Sequence, residues 1–405
     1  MTSGRILAYG LLGLPLAFAA LPIYVHVPRL YAEVAGLPLA LLGVILLGTR
    51  LLDAGIDPLL GWLADRVPRR GMVAVALLPF VAGFVALLNP PEDSAALWLI
   101  GTLALTYLGF SAATIAYQAW GTDVGADSRL RTRLTAAREG FGLIGVVLAA
   151  ALPTLLAPVL SDGIARLAWV LPVLLLLATL VTFSRVGPGV PQRAPGRPLL
   201  PSLRSVVNDP AFRRLLGVFV ANGIAAALPA TLFLFFVADV LELETASGAL
   251  LALYFIAGAA SLPLWVGLAG RYGRVAAWLG AMVMSIVAFA GASQLGSGDL
   301  WAFAAICLAS GLALGADLSL PAAIAADLGE RRGQAGACFG VWNFVAKLNL
   351  ALAAGLALPL LALLGYVPGS GAGLPALSFA YALLPLVFKT LAAALLWRWR
   401  HHLEI

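Results

Sequence analysis

The segment Arg50-Leu-Leu-Asp-Ala-Gly-Ile-Asp-Pro58 sets one arginine and two aspartates inside an apolar stretch that runs from about Leu37 to Leu63. Each such charge costs about 2.5 to 3.5 kcal/mol at the centre of a membrane helix, so only a polar interior or a water-filled path would offset three of them. At about 100° per residue, Arg50, Asp53, Asp57 and Gly61 fall on one stripe of a helix. Two carboxylates four residues apart in a low-dielectric setting do not both stay ionised cheaply, so the pair suits a proton or cation switch. The alternative is that Arg50 and Lys347 merely neutralise the acids in a packed polar seam, although a buried pair adds little net stability for its desolvation cost.

Other polar residues lie in apolar surroundings. Lys347 follows Trp342 and Asn343 and would reach Asp53 or Asp57 across a cavity, while Asp317 sits in Leu314-Gly-Ala-Asp-Leu-Ser-Leu-Pro321. Asp317 reads as a second protonation site, a substrate contact or a satisfied polar pair. Arg138 and Glu139 suit a gate pair or a snorkelling arginine beside its neighbour, and Lys389 is expected to snorkel toward the cytoplasm. The side chains of Tyr117, Gln118, Trp120, Arg138, Trp342 and Asn343 are the candidate solute contacts, since aromatic stacking and hydrogen bonds hold a small polar ligand.

These residues need elements that cross a bilayer. Of 405 residues, 62% are hydrophobic and 11% charged, and the mean hydropathy is +0.99, outside the range of soluble domains. Apolar runs long enough to span about 30 Å lie at roughly 5–27, 38–64, 72–89, 95–120, 134–158, 164–184, 213–238, 246–269, 274–294, 299–326, 334–364 and 376–397. The first is followed by no A-x-A cleavage site and reads as a retained span. The fold class is therefore all-α and polytopic, with twelve transmembrane helices.

Arginine alternates between the connections. One set holds Arg5; Arg66, Arg69 and Arg70; Arg129, Arg131 and Arg133; Arg185, Arg193, Arg197 and Arg204; Arg271 and Arg274; Arg331 and Arg332; Arg398 and Arg400. The other sets Arg29 and Arg166 against Glu33, Glu92, Asp93, Asp162, Asp239, Glu242, Glu244 and Asp299. The positive-inside rule makes the first set, and both termini, cytoplasmic. The pI of about 9.6 is then a sign of topology and not of nucleic-acid binding.

The span Val186 to Ser205 carries five prolines and three arginines and suits an extended linker. This places a six-helix bundle at 1–185, a cytoplasmic linker at 186–212 and a second six-helix bundle at 213–405. Gly61-Trp-Leu-Ala-Asp-Arg-Val-Pro-Arg-Arg70 and Gly267-Leu-Ala-Gly-Arg-Tyr-Gly-Arg274 form a weak internal repeat, as two parallel six-helix repeats would have. Cys307 and Cys338 fit no disulfide framework, and the three histidines form no cluster. A phosphate loop, a metal-ligand set and a Ser-His pairing are all missing. The chain is thus expected to be no enzyme and no ATP-driven pump.

The turn at Gly61, Asp65, Arg66, Arg69 and Arg70 resembles the G-x-x-x-D-[RK]-x-G-[RK]-[RK] motif of the major facilitator superfamily, with Pro68 in place of its second glycine. A narrower resemblance is to the glycoside-pentoside-hexuronide:cation symporters, the melibiose permease family. Four pieces carry it: Arg50-x-x-Asp-Ala-x-x-Asp-Pro58; Tyr117 onward into Asp127-x-Arg129-x-Arg131-Thr132-x-Leu134 with Arg138; Asn208-x-Pro-x-Phe212; and Lys347 followed by Gly365-Tyr366-Val367-Pro368.

The resemblance implies that Asp53 and Asp57 bind the coupling cation, Na⁺, Li⁺ or H⁺. It also implies that Asp65 and the arginines of its turn hold a cytoplasmic gate, and that Asp327 and Arg331 latch the same side. Two departures qualify it. Where sodium-using members carry Asn before the second Asp, this chain has Ile56, which favours H⁺ over Na⁺ because a hard cation wants about six oxygens. Where sugar-binding members carry acids, it has Pro15 and Thr114. The expected function is cation-coupled symport of a small solute, a sugar or glycoside or an organic anion, by alternating access. An amphipathic cargo, such as a drug or lysolipid, is the alternative, and a non-transporting membrane receptor or an intramembrane enzyme the remote one. Neither a cofactor nor a resident metal is expected, only H⁺ or Na⁺ at Asp53 and Asp57. The expected partners are the solute and the lipid bilayer of the inner membrane, with no nucleic acid and no obligatory protein partner, for a chain acting as a monomer.

Overall fold

A computed structural model describes residues 1–33, 37–91, 94–157, 160–190, 198–367 and 369–404. The loop acids Glu92 and Asp93, the linker arginines Arg193 and Arg197, and Pro368 lie outside these residues. Sixteen α-helices are present among them: α1 (Ser3–Gly10), α2 (Gly13–Leu21), α3 (Val27–Glu33), α4 (Leu39–Ala64), α5 (Arg69–Leu87), α6 (Ala95–Val124), α7 (Ser128–Leu156), α8 (Leu160–Arg185), α9 (Leu199–Val207), α10 (Pro210–Phe235), α11 (Ser247–Tyr272), α12 (Arg274–Ala290), α13 (Leu300–Arg331), α14 (Ala335–Leu363), α15 (Leu374–Ser378) and α16 (Leu384–Leu403). Single π-helical turns at Pro22–His26 and Phe379–Leu383 join short helices into longer rods, and one at Phe236–Val240 lengthens α10, as single π turns commonly accompany an α-helix.

Among the described residues, eleven helical rods are long and apolar enough to cross a membrane. The twelfth is α4, whose 26 residues reach about 39 Å at about 1.5 Å per residue. Its Arg50, Asp53 and Asp57 set it apart from the others. The chain is a multi-pass membrane protein with the twelve spans that its sequence predicts.

Several helix ends differ from the apolar runs. Helix α7 starts at Ser128, ahead of the run at 134, because the Asp127 carboxylate accepts the Leu130 N–H at 2.7 Å and caps a first turn rich in arginine. Helix α13 runs on to Arg331. The end of the proline-rich linker is not extended: it folds into α9 directly after Pro198, with Pro201 in the first turn, where a missing N–H is tolerated.

The chain falls into two compact units, Met1–Val207 with Ala325–Phe344, and Asn208–Ile324 with Val345–Ile405. In the first unit, α1 and α2 pack on α7, and α4 and α5 pack on α6. Small residues let backbones meet there: a Cβ at Gly145 would lie 2.1 Å from the Leu14 carbonyl oxygen. In the second unit, α10 and α12 pack on α16, and α11 on α12. One end of this unit is an aromatic core in which Phe236 stacks on Tyr381 with centroids 4.1 Å apart, against Phe303.

Candidate functional site: a buried carboxylate face and a charged clamp

On α4, Asp53, Ala54, Asp57, Leu60, Gly61 and Ala64 are buried, whereas Leu51, Leu52, Ile56 and Leu59 are exposed. The helical period thus puts both carboxylates on one inward face, with Arg50 half-buried on the same stripe. Asp57 is 0% and Ile56 37% exposed, so position 56 points off the face that carries the acids. An oxygen lost at Ile56 is therefore not lost from that face, and the inference from this residue to the coupling ion has no geometric footing.

Asp53 meets α6, where Ser111 Oγ donates to its Oδ1 at 2.7 Å. Ser111, Thr114 and Gln118 recur at helical spacing along one face of α6. The Thr114 hydroxyl is buried and makes no hydrogen bond. Gln118 Oε1 accepts from Asn343 Nδ2 at 2.6 Å, which ties α6 to the first turns of α14. Asp57 is enclosed by the same turns: a Cβ at Gly340 would lie 2.6 Å from the Asp57 carbonyl oxygen, and one at Gly61 would lie 2.3 Å from that of Gly336. Pro58 has no N–H to offer the carbonyl of Ala54. The arrangement is a small polar seam of two acids, two hydroxyls and two amides walled by backbone.

At the arginine-rich end of this unit the motif turn forms a clamp. Asp65 Oδ1 accepts from Arg69 Nη2 at 2.9 Å and from the Gly336 N–H at 2.7 Å, and its Oδ2 accepts from the Ala337 N–H at 2.8 Å. An anion is thereby placed on the free amides at the start of α14. Burial nevertheless pushes the Asp65 carboxyl above its ordinary value, against the opposing pull of Arg69 and the two amides. Arg69, 2% exposed, also donates to Asp123 Oδ1 at 2.5 Å, Thr122 Oγ1 at 3.1 Å and the Ala119 carbonyl at 3.0 Å.

Nearby, Asp327 pairs with Arg131, which also donates to the Gly125 carbonyl at 2.9 Å. Gly61, Asp65, Arg69 and Asp327 are thus brought into the clamp. The other predicted gate residues are not. Arg66 stacks on Trp62 at 3.7 Å, Arg70 donates to the Phe183 carbonyl at 2.8 Å, and Arg331 is exposed. Asp123 and Arg131 take their places. Arg131 stands in one of the quoted sequence pieces, but Asp123 carried no signal beyond being an acid at a helix end.

The second copy of the repeat keeps part of this geometry. Arg69 and Arg274 are each the first residue of a helix, each is buried, and each donates at 3.0 Å to a carbonyl of a later helix, Ala119 and Ala323. The second copy lacks the acid: Arg271 stands where the first has Asp65.

Three predicted solute contacts have structural partners instead. Tyr117 is fully buried and donates to the Tyr9 carbonyl, while Tyr9 donates back to the Tyr117 carbonyl at 2.9 Å. Trp120 is fully buried, and its Nε1 donates to the carbonyls of Gly187 and Pro188 at 3.2 and 3.0 Å. Arg138 Nη2 pairs with Glu139 at 2.5 Å. Trp342 is buried and Lys347 half-buried; Lys347 belongs to the second unit. In that unit Asp317 accepts from Trp278 Nε1 at 2.8 Å and from Lys389 Nζ at 2.5 Å. Lys389 is 6% exposed and does not snorkel: reaching a carboxylate offsets its burial. A cavity of about 440 Å³ lies beside Arg5, Asp123, Arg185 and Glu330, next to the clamp and away from Asp53 and Asp57.

A bundle of membrane-spanning helices with carboxylates on an inward face is the build of a major facilitator transporter. The fold agrees with solved structures along nearly the whole chain. A bacterial homologue of the iron transporter ferroportin in its outward-facing state matches at TM-score 0.75 and 16% identity over 99% of this chain and 100% of that one. FucP, a major facilitator transporter in the outward conformation, matches at 0.72 and 13% over 97% of each. The human organic anion transporter MFSD10 (TETRAN) matches at 0.64 and 18% over 100% of each. At such identities the likeness is one of fold. No curated protein sequence matches the chain. Residues 6–401 match the family described as MFS/sugar transport protein, and the chain belongs to that family.

Proposed function

We propose that the protein is a secondary transporter in which protonation of Asp53 or Asp57 is linked to solute binding and permits alternating access. The observation that carries this reading is the pair of carboxylates on the inward face of a membrane helix, one held by Ser111 and the other enclosed by glycine-lined backbone. Ionisable residues in such a place mark ion or substrate paths. H⁺ is the coupling ion in this reading, since a single carboxylate oxygen suffices to take it up. The cargo is a small solute, a sugar or glycoside or an organic anion, contacted by Gln118, Thr114 and Asn343. The protein is placed in the inner membrane in this reading, the arginine distribution supports cytoplasmic termini, and the Asp65–Arg69–Asp123 clamp is then the cytoplasmic gate.

A thermal-shift screen of the purified protein against sugars, glycosides, organic anions and lysolipids, at two pH values with and without Na⁺, identifies the cargo. Solute-driven proton movement in proteoliposomes then reads the coupling. Asp57→Asn is expected to abolish that movement while the fold is kept. Normal coupled uptake by this variant overturns the assignment.

A further inference from the structure

Asp317 is held in the way a bound carboxylate would be. Trp278 Nε1 donates to one of its oxygens at 2.8 Å and Lys389 Nζ to the other at 2.5 Å. The two donors come from α12 and α16 and converge on a side chain of α13. Trp278 is fully buried, whereas the Asp317 side chain keeps 12% exposure, so the group is reachable at the acid's edge. Of the helices packed around it, α11 adds one titratable neighbour, Tyr254; α12 brings the non-titrating indole and α16 the ammonium. A buried ion pair contributes little net stability for its desolvation cost. Inside a membrane span it is a poor device for stability alone.

We propose that Lys389 and Trp278 form a receptor for an organic carboxylate, filled by Asp317 in the resting protein and opened to cargo when Asp317 takes up a proton. In the resting state the formal charges are Asp317 −1 and Lys389 +1. In the loaded state Asp317 is neutral and the cargo carboxylate faces Lys389. Both states sum to zero, so proton and anion enter together and no unpaired charge is exposed to the bilayer interior. The inference rests on the transporter reading above and narrows its cargo to organic anions.

The test uses the full-length protein in detergent with benzoate and lactate as probes, acids that stay ionised across the range. If only protonated Asp317 admits a carboxylate, the probes bind more tightly at about pH 5.5 than at about pH 7.5, following the competent fraction. Asp317→Asn keeps an acceptor for Trp278 without the charge; it should bind the probes equally at both pH values and at least as tightly as the wild type at the lower one. Adding Lys389→Gln to that variant leaves no buried charge unpaired and should remove the binding. The inference is overturned if neither probe stabilises the wild type at either pH, if Asp317→Asn weakens binding, or if the double variant binds as the single one does. Loss of solute-driven proton movement in Asp57→Asn tests the coupling role, whereas probe binding in Asp317→Asn and in its double variant tests this site, so the failure of one and the failure of the other give different results.

Discussion

A single methyl group at Gly340 tests whether backbone contact is what encloses Asp57. The Cβ of Gly340→Ala would lie 2.6 Å from the Asp57 carbonyl oxygen, 3.0 Å from Gly61 Cα and 3.1 Å from Pro58 Cα. All three are backbone atoms, so no flexible side chain swings aside, and the first turns of α14 must move off α4. Overpacking of this kind costs about 1–3 kcal/mol. Alanine's gain as the better helix former cancels, because α14 is helical whether the contact is open or closed, so the overpacking amounts to a factor of about 5 to 150 in the closed contact. Cys338, two residues away and 1% exposed, is a built-in reporter. In a Cys307→Ser background, its alkylation by a maleimide follows the open fraction when opening and closing are fast. Gly340→Ala should speed alkylation by that factor, whereas Gly55→Ala on α4, where a Cβ meets nothing within 4 Å, should not. An unchanged rate in Gly340→Ala, with an unchanged thermal midpoint, refutes the reasoning.

Arg69→Ala leaves Asp65 and Asp123 buried without their shared cation and should cost about 3–5 kcal/mol, whereas Asp65→Asn, which also removes a charge that burial disfavours, should cost about 1 kcal/mol; thermal midpoints in the opposite order contradict the clamp. Because the Asp65 carboxyl is raised in the folded state, its contribution to the α4–α14 contact is fullest below the ordinary carboxylate range and is lost as pH rises through the raised value. Cys338 alkylation, normalised to a free thiol, should therefore be slower in mild acid than at neutrality, and flat in Asp65→Asn. Thr114→Val deletes a buried hydroxyl that has no partner, so it should leave the thermal midpoint equal or higher, by up to about 1–3 kcal/mol, while weakening solute uptake; a lower midpoint with normal uptake counts against a cargo contact. Replacing Na⁺ by K⁺ or choline at fixed pH should not change transport, and a steep Na⁺ dependence would establish sodium as the coupling ion.

What the sequence made legible follows from what each signal measures. Hydropathy sees apolar length, so it found the spans but cut α7 and α13 short, where charged turns extend a helix past the lipid. Periodicity sees which residues share a face, and it placed Asp53, Asp57 and Gly61 together. The same rule, applied to α6, sets Trp120 about 180° from Ser111 and well away from Gln118; the indole belongs to the opposite side, where it meets the linker carbonyls. Aromatic chemistry near Gln118 suggests solute contacts whatever the face, whereas Tyr117 and Trp120 hold backbone carbonyls. Neither signal says which helix a face will meet. Arg69 finds Asp123 across 54 positions and Arg131 finds Asp327 across 196, while Arg331, beside Asp327 in the chain, stays exposed. Lys389 follows the same logic: nearness to a membrane face suggested snorkelling, but the carboxylate it reaches lies 72 positions away on another helix. For a long cationic side chain within a bundle, the strongest acceptor within reach decides its direction, and that acceptor is set by tertiary packing.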